Sequence, residues 1–167
     1  MRIFLLNALA LLAFHTGDTP QPVHWTYQVD KVGNDVFRLI IHAALDEGWH
    51  IYAQRQPKKT TVKPTATSFH FLNSPLLTYE GPVKEEGKLF HYRDEETGIA
   101  QDQYSGNVVF TQVVRLRGHA TVQLTGTVDY QVCTEKECLP PTTSSFSVSL
   151  SETGHDERAS PDLKPKS

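Results

Sequence analysis

The chain has 167 residues, of which 38% are hydrophobic and 21% are charged, and its formal net charge is −3 at pH 7. This length supports one domain with a substantial hydrophobic core and is too short for two comfortable domains. The slightly acidic balance gives no electrostatic basis for binding nucleic acid, so we expect no nucleic-acid partner.

The N-terminus has the pattern of an export signal. Arg2 supplies a minimal positive charge, and the run from Ile3 to Phe14 is apolar except for Asn7. This run is shorter than the about 20 apolar residues that span a bilayer, so we predict a signal peptide over residues 1–17 rather than a buried helix. After its removal we expect a periplasmic or secreted protein without stable membrane insertion, in a compartment that permits disulfides.

Short β-strand signals recur along the rest of the chain. Apolar and polar residues alternate from Val23 to Val29, Gly33-Asn34 has the composition of a turn, and residues 35–45 form a longer apolar strand. Further strands are predicted at residues 49–54, 68–72, 76–79 and 108–116, with a polar, proline-containing loop over 57–67. No segment has a sustained helical period, so the predicted fold class is all-β, an antiparallel β-sandwich.

The clearest alternation runs from Ala120 to Val132. Every even position except Gly126 is apolar or aromatic, and every odd position is polar. This pattern predicts a strand with one buried and one exposed face. If the alternation continues, Cys133 lies on the exposed face. The returning strand is expected to bury three residues: Phe146, Val148 and Leu150.

The two cysteines of the chain, Cys133 and Cys138, flank four polar residues and precede Pro140-Pro141. This arrangement fits the tip of a β-hairpin, where facing cysteines can meet the Cα separation that a disulfide requires. A bridge across so short a loop stabilises the fold by only about 2 kcal/mol. The spacing alone leaves a structural and a reactive disulfide open, and slightly favours the structural one.

A resemblance to a known family bears on that choice. Tyr130-Gln131-x-Cys133, four residues, then Cys138-x-Pro140-Pro141 resembles the active-site hairpin of the periplasmic N-terminal domain of the thiol:disulfide interchange protein DsbD. It is most similar to the shorter-loop versions in bacterial disulfide bond corrector domains. Two weaker matches, at Gly48-Trp49-His50-Ile51-Tyr52 and Asp94-Glu95-Glu96-Thr97-Gly98, resemble a segment lining that site and an acidic cap loop.

The resemblance implies an immunoglobulin-like sandwich over residues 18–150 that relays electrons by thiol–disulfide exchange. A thioredoxin-like reductant would supply the electrons, and periplasmic thiol proteins would receive them. Cys138 would form the transient mixed disulfide with a thioredoxin-fold partner, and Cys133 would resolve it. No cofactor and no metal are expected, because two cysteines lack the second ligand pair of a zinc site and the histidines are scattered.

Five further residues are predicted to line the site by the same resemblance: His50, Tyr52, Asp94, Glu95 and Tyr130. His50, where the family often has tyrosine, would assist proton transfer near neutral pH; a solvated surface histidine is the alternative. Tyr52 would pack beside the sulfurs. Asp94 and Glu95 match family residues that handle protons, although an acidic loop can be merely solvated.

The cap loop departs from the family in one respect. Where better-known relatives place an aromatic residue over the disulfide, this chain has Glu96 or Thr97. Phe90, Tyr92 or Tyr104 would have to substitute for it. We therefore expect a more exposed disulfide that is less selective about its partners.

Two alternatives accompany this interpretation. Residues 151–167 are charged and almost devoid of apolar side chains, which predicts a disordered tail rather than a partner-binding segment. The competing function is that of a non-catalytic secreted binding or adhesion module, in which the bridge only pins a hairpin.

Overall fold

The computed structural model describes residues 20–151. The predicted signal peptide lies outside the described residues, and so does the predicted tail beyond Ser151. Residues 20–151 form β-strands and no helix, and hence no helix long and apolar enough to cross a membrane. The strands are β1 (Val23–Gly33), β2 (Val36–Leu45), β3 (His50–Tyr52), β4 (Ser68–Phe71), β5 (Leu77–Asp94), β6 (Ile99–Leu116), β7 (Val122–Tyr130), β8 (Val132–Cys133) and β9 (Thr142–Leu150).

These strands form two antiparallel sheets. The larger has six strands in the order β1-β2-β6-β3-β8, with β5 paired to β6 as well. The smaller has three strands in the order β4-β7-β9. Both cysteines lie at the end of the larger sheet where β8 pairs with β3.

The core lies between the two sheets, so the molecule is an antiparallel sandwich as predicted. Phe110 of the larger sheet packs against Phe69 of the smaller one with ring centroids 4.9 Å apart. Tyr27 of the larger sheet stacks on Phe146 of the smaller one, also with ring centroids 4.9 Å apart. The inward residues of β9 are buried as the alternation predicted: Phe146, Val148 and Leu150. Burial of these apolar faces is the main favourable term in the stability of the sandwich.

Gly126 interrupts the apolar alternation of β7 for a packing reason. A Cβ atom at this position would lie 2.7 Å from the His70 carbonyl oxygen and 2.7 Å from Phe146 Cζ. The Phe146 ring therefore occupies the space that a side chain at position 126 would need. Glycine is required here by a close approach, not by a turn.

The largest difference from the predicted elements is the hairpin of β5 and β6. The sequence predicted short strands at 76–79 and 108–116, whereas each strand has 18 residues and the acidic segment 95–98 is the turn between them. Most side chains from Lys84 to Arg93 are exposed. A strand without a buried face has no alternation of apolar and polar residues, so the pattern could not reveal it.

The prediction that Cys133 lies on the exposed face is wrong. Cys133 is only 1% exposed, and Val132 beside it is buried too. The period of two breaks at Gln131, where the chain leaves β7 in the smaller sheet and enters β8 in the larger one. A change of sheet resets which side chains face the core.

Candidate functional site

The two cysteines close the tip of a hairpin and are joined by a disulfide. Their Cα atoms are 4.0 Å apart, and the two residues form an antiparallel bridge. The backbone around them completes the turn, because Thr134 N–H donates to Glu137 O at 2.8 Å and Leu139 N–H donates to Val132 O at 3.0 Å. The predicted hairpin tip is therefore confirmed.

The turn between the cysteines is ordered by one side chain. Thr134 Oγ1 accepts hydrogen bonds from the backbone N–H groups of Lys136 and Glu137, each at 3.1 Å. The charged side chains of the turn are left in solvent. Small hydroxyl residues stabilise turns by this local bonding. Thr134 thus stabilises the turn that joins the two cysteines.

The two cysteines differ sharply in their surroundings. Cys133 is 1% exposed, whereas Cys138 is exposed. The Cys138 residue is therefore in contact with solvent, and the Cys133 residue is not. An asymmetric disulfide of this kind has one sulfur to be attacked and one to be released.

β3 places one aromatic side chain, that of Tyr52, against the buried sulfur. His50 faces Cys133 directly in the register of β3 and β8. Tyr52 donates its hydroxyl hydrogen to Cys133 Sγ at 3.2 Å, and its ring contacts that of His50 with centroids 5.4 Å apart. Burial raises the pKa of Tyr52, so the hydroxyl keeps its proton and remains a donor at neutral pH.

The imidazole of His50 is partly buried and lies near a charge of the turn. Desolvation lowers the pKa of His50 below its ordinary value, while the negative charge of Glu135 opposes that shift. The side chain is thus held mainly neutral at neutral pH. In this form one ring nitrogen accepts and the other donates a hydrogen bond.

This lowered pKa predicts a pH dependence of stability. The folded state resists protonation of His50, so the unfolded state binds more protons between the folded-state pKa and about 6.5. The free energy of unfolding should therefore fall as the pH drops through that window. We expect His50→Gln to make this slope shallower in denaturant titrations. His42→Gln, which removes an exposed imidazole from β2, is the control; equal slopes in all three proteins would contradict the assignment.

A glutamine that the sequence analysis quoted only as part of the motif holds the hairpin in place. Gln131 Nε2 donates to Leu139 O at 3.2 Å, and Gln131 Oε1 accepts from Thr65 N–H at 3.1 Å. The side chain thus ties the segment between Cys138 and β9 to the loop over residues 57–67. Gln131 fits the polar odd positions of the alternation, so nothing in the sequence pattern distinguished this role.

Tyr130 lies at the end of β7, two residues before the change of sheet. Its ring meets the ring of Trp25 edge-on with centroids 5.3 Å apart, and it packs against the hydrophobic core. Among the described contacts, none joins Tyr130 to a sulfur. Its place among the site residues stays a prediction.

The cap loop is bonded to another loop. Asp94 Oδ1 accepts the backbone N–H groups of Glu96 and Thr97 at 3.0 and 3.2 Å, and bonds from Thr97 lower the pKa of Asp94. Gly98 O accepts from Thr61 N–H at 3.1 Å. These bonds fix the turn of the β5–β6 hairpin against residues 57–67.

The register separates this loop from the cysteines. Cys133 faces His50, which faces Ser105 on β6. Gly98 lies seven residues before Ser105 in the chain, or about 20 Å away along an extended strand. No contact described for residues 20–151 joins Asp94 or Glu95 to the disulfide, and their role in the site stays a prediction.

The aromatic residues considered as substitutes for a cap lie on different faces. Tyr104 is buried in the core. Phe90 pairs with Gln103, which pairs with Tyr52, so Phe90 and Tyr52 lie on the same face of the larger sheet. Tyr92 follows two residues later on that face. Phe90 is 56% exposed, and no contact described for residues 20–151 joins it to a sulfur, so its role as a cap stays a prediction.

The arrangement as a whole suits sulfur chemistry. It offers an exposed sulfur-bearing residue, a buried one with a hydroxyl donor at 3.2 Å, and a mainly neutral imidazole beside them. Within residues 20–151, no three or more His, Cys, Asp or Glu side chains are grouped so that they could hold a metal ion. The chemistry that these groups support is exchange of the disulfide with an external thiol.

Comparisons with known proteins agree with this fold. The sequence profile described as "Thiol:disulfide interchange protein DsbD, N-terminal" matches residues 18–150. The DsbD N-terminal domain of Neisseria meningitidis in its reduced form aligns with a TM-score of 0.51 and 17% identity, covering 83% of this chain and 90% of that one. The N-terminal periplasmic domain of ScsB from Proteus mirabilis aligns with a TM-score of 0.53 and 15% identity, covering 80% of this chain and 48% of that one.

Identities at this level show the fold alone: the all-β antiparallel sandwich that the strand pattern predicted, with the immunoglobulin-like character that the resemblance implied. A search of curated proteins gives no significant match.

Proposed function

The chain belongs to the family of DsbD N-terminal domains, and from this premise we propose that it exchanges disulfides with other proteins through Cys133 and Cys138. In this role it relays electrons between a thioredoxin-like reductant and thiol proteins of the periplasm. The observation that carries the proposal is the asymmetry of the bridge: Cys138 is exposed, while Cys133 is buried with Tyr52 O–H bonded to its sulfur.

Reduction of the domain takes two exchanges. A thiolate of the reductant attacks Cys138 Sγ, the Cys133–Cys138 bond breaks, and its electron pair leaves on Cys133 Sγ as a thiolate. The second thiolate of the reductant then attacks the reductant sulfur that is bonded to Cys138. This forms the disulfide of the reductant and releases Cys138 as a thiolate. The reductant ends as a disulfide, and this domain ends as a dithiol.

Delivery of the electrons reverses these steps. The Cys138 thiolate attacks a disulfide of the acceptor, and one acceptor sulfur leaves as a thiolate. Cys133 then attacks Cys138 Sγ in the mixed disulfide, which restores the bridge and releases the acceptor as a dithiol. Tyr52 assists by donating its hydrogen bond to Cys133 Sγ while that sulfur carries charge. His50, the register partner of Cys133, takes or returns the proton of a thiol.

The periplasm is the proposed location. The pattern of residues 1–17 supports export, and the ScsB domain with a similar fold is described as periplasmic. The proposed domain spans residues 18–150, the range that the family profile matches. Disulfide exchange between proteins requires a compartment in which disulfides persist.

The redox potential of the bridge tests the proposal. We expect the Cys133–Cys138 couple to titrate well above about −300 mV, because structural disulfides of secreted proteins lie below that value. The protein is equilibrated with thiol–disulfide buffers of graded potential, and its free thiols are alkylated and counted by mass spectrometry. A potential below about −300 mV would instead favour a binding module with a structural bridge.

A further inference from the structure

The outer edge of β5 carries an unusual run of exposed apolar residues. Leu89, Phe90 and Tyr92 are 41%, 56% and 38% exposed, and they are three of the seven exposed large hydrophobic side chains of residues 20–151. In the described part of the chain β5 pairs only with β6. An exposed apolar edge strand is a template for pairing with another strand.

The direction of the backbone groups at this edge follows from β6. Asp102 O accepts a hydrogen bond from Ala53 N–H at 2.9 Å, and Asp102 N–H donates to Gln56 Oε1 at 3.1 Å. The N–H and C=O groups of Asp102 therefore both point toward β3. Because these groups alternate along a strand, those of Gln101 and Gln103 point toward β5.

The same alternation determines the direction of the backbone N–H and C=O groups of β5. Tyr92 and Phe90 are the register partners of Gln101 and Gln103, so their N–H and C=O groups point inward to β6. The N–H and C=O groups of Leu89, His91 and Arg93 therefore point outward. The Arg93 side chain does not cover this edge. Its Nη1 donates hydrogen bonds to Tyr92 O at 2.6 Å and to Gln101 O at 3.0 Å, on the side of β5 that faces β6.

We propose that this edge binds the same edge of a second copy of the chain, so that two β5 strands pair antiparallel about a two-fold axis at His91. This register pairs His91 with His91, Leu89 with Arg93, Phe90 with Tyr92, and Lys88 with Asp94. It satisfies the outward N–H and C=O groups on both sides in three hydrogen-bonded pairs. An isologous interface of this kind is the commonest form of symmetric dimer.

The side chains select this register over its neighbours. Phe90 of each copy lies opposite Tyr92 of the other in a non-hydrogen-bonded pair, where side chains approach most closely and aromatic pairs are favourable. Lys88 lies opposite Asp94, so opposite charges meet at both ends. An axis at Phe90 would instead place Lys88 opposite Tyr92 and would lose both charge pairs. The rest of the edge is protected by Pro82, Lys84 and the irregular register near Gly87.

This dimer leaves the disulfide accessible. The two-fold axis is perpendicular to the joined sheet, so both copies present the face with Phe90 and Tyr52 on the same side. Cys133 lies on β8, and β3 and β6 separate it from β5. The proposal is therefore independent of the redox function, and either can fail without the other.

Sedimentation of the purified protein over micromolar to millimolar concentrations tests the proposal, with His91→Pro and His91→Ala compared. Both variants lose the contact between His91 Nδ1 and Asp102 Oδ1 at 2.8 Å, but only proline removes the outward N–H, which the β6 ladder does not use. We expect His91→Pro to raise the dimer dissociation constant about 30-fold or more, since two hydrogen bonds are lost, and His91→Ala to change it by less than about threefold. A wild-type monomer throughout, or equal weakening by both variants, would overturn the proposal.

Cross-linking tests the register even if the proline variant does not fold. Residues facing each other in a hydrogen-bonded pair have Cα atoms about 5.5 Å apart, within the range of a disulfide. Under copper-catalysed air oxidation we expect His91→Cys to form a covalent dimer. Val62→Cys, also at an exposed position, is the control and should remain monomeric. Equal cross-linking of the two variants would refute the pairing.

Discussion

Cys133→Ser protein is expected to accumulate a mixed disulfide with an oxidised thioredoxin-fold protein, and Cys138→Ser protein is expected to form none. In the first variant the exposed Cys138 is free to attack the partner, and the sulfur that would resolve the complex is missing. In the second variant the remaining thiol belongs to Cys133, which is 1% exposed. We expect at least about a 100-fold difference in complex formed, because only a thiolate with access can attack.

Non-reducing electrophoresis and mass spectrometry of the linked peptides measure this difference. The double variant Cys133→Ser/Cys138→Ser is the matched control and should form no complex. Loss of so short a bridge removes only about 2 kcal/mol of stability, so circular dichroism should show both single variants folded. Equal trapping by the two, or none by Cys133→Ser while it is folded, would contradict the assigned roles.

The strands of the sandwich were predictable from the sequence where one face of the strand is buried and the other is exposed. The alternation in β7 and β9 placed Leu124, Val128 and Phe146 inward, and these residues are buried. The hairpin tip was predictable because two cysteines and two prolines bound a short polar segment. In these places local sequence and tertiary environment impose the same pattern.

The prediction failed where the chain changes its environment without changing its composition. Cys133 follows an unbroken alternation in the sequence, yet the step from β7 to β8 moves it into another sheet and buries it. The distal half of β5 is mostly exposed and has no buried face to generate a period. Both failures arise because periodicity reports burial and not strand pairing.

The residues around the sulfur could not be assembled from local pattern at all. Tyr52 and Cys133 are separated by 81 positions, and Gln131 reaches Thr65 across 66. The resemblance brought Tyr52 to attention, but only the pairing of β3 with β8 shows which sulfur it contacts. The same pairing leaves the acidic cap loop at the far turn of β5 and β6.

The hydrogen bond from Tyr52 leads to the second large expected effect. Tyr52→Phe keeps the ring and removes the hydroxyl that lies 3.2 Å from Cys133 Sγ. When an external thiolate attacks Cys138, Cys133 leaves as a thiolate, and a hydrogen bond to a charged group stabilises it by about 1.5–3 kcal/mol. We therefore expect the rate of reduction by a small dithiol to fall by about 10- to 100-fold.

The pH profile of the reduced domain separates this electrostatic role from a packing role. Without the hydroxyl the pKa of the Cys133 thiol should rise, because its thiolate loses a donor, and alkylation of Cys133 in the Cys138→Ser background should shift to higher pH. Tyr104→Phe removes the hydroxyl of a buried tyrosine of β6 that has no described contact with a sulfur, and it should change the rate by less than about twofold. A Tyr52→Phe protein that is reduced as fast as the Tyr104→Phe protein would show that the hydroxyl does not stabilise the leaving sulfur.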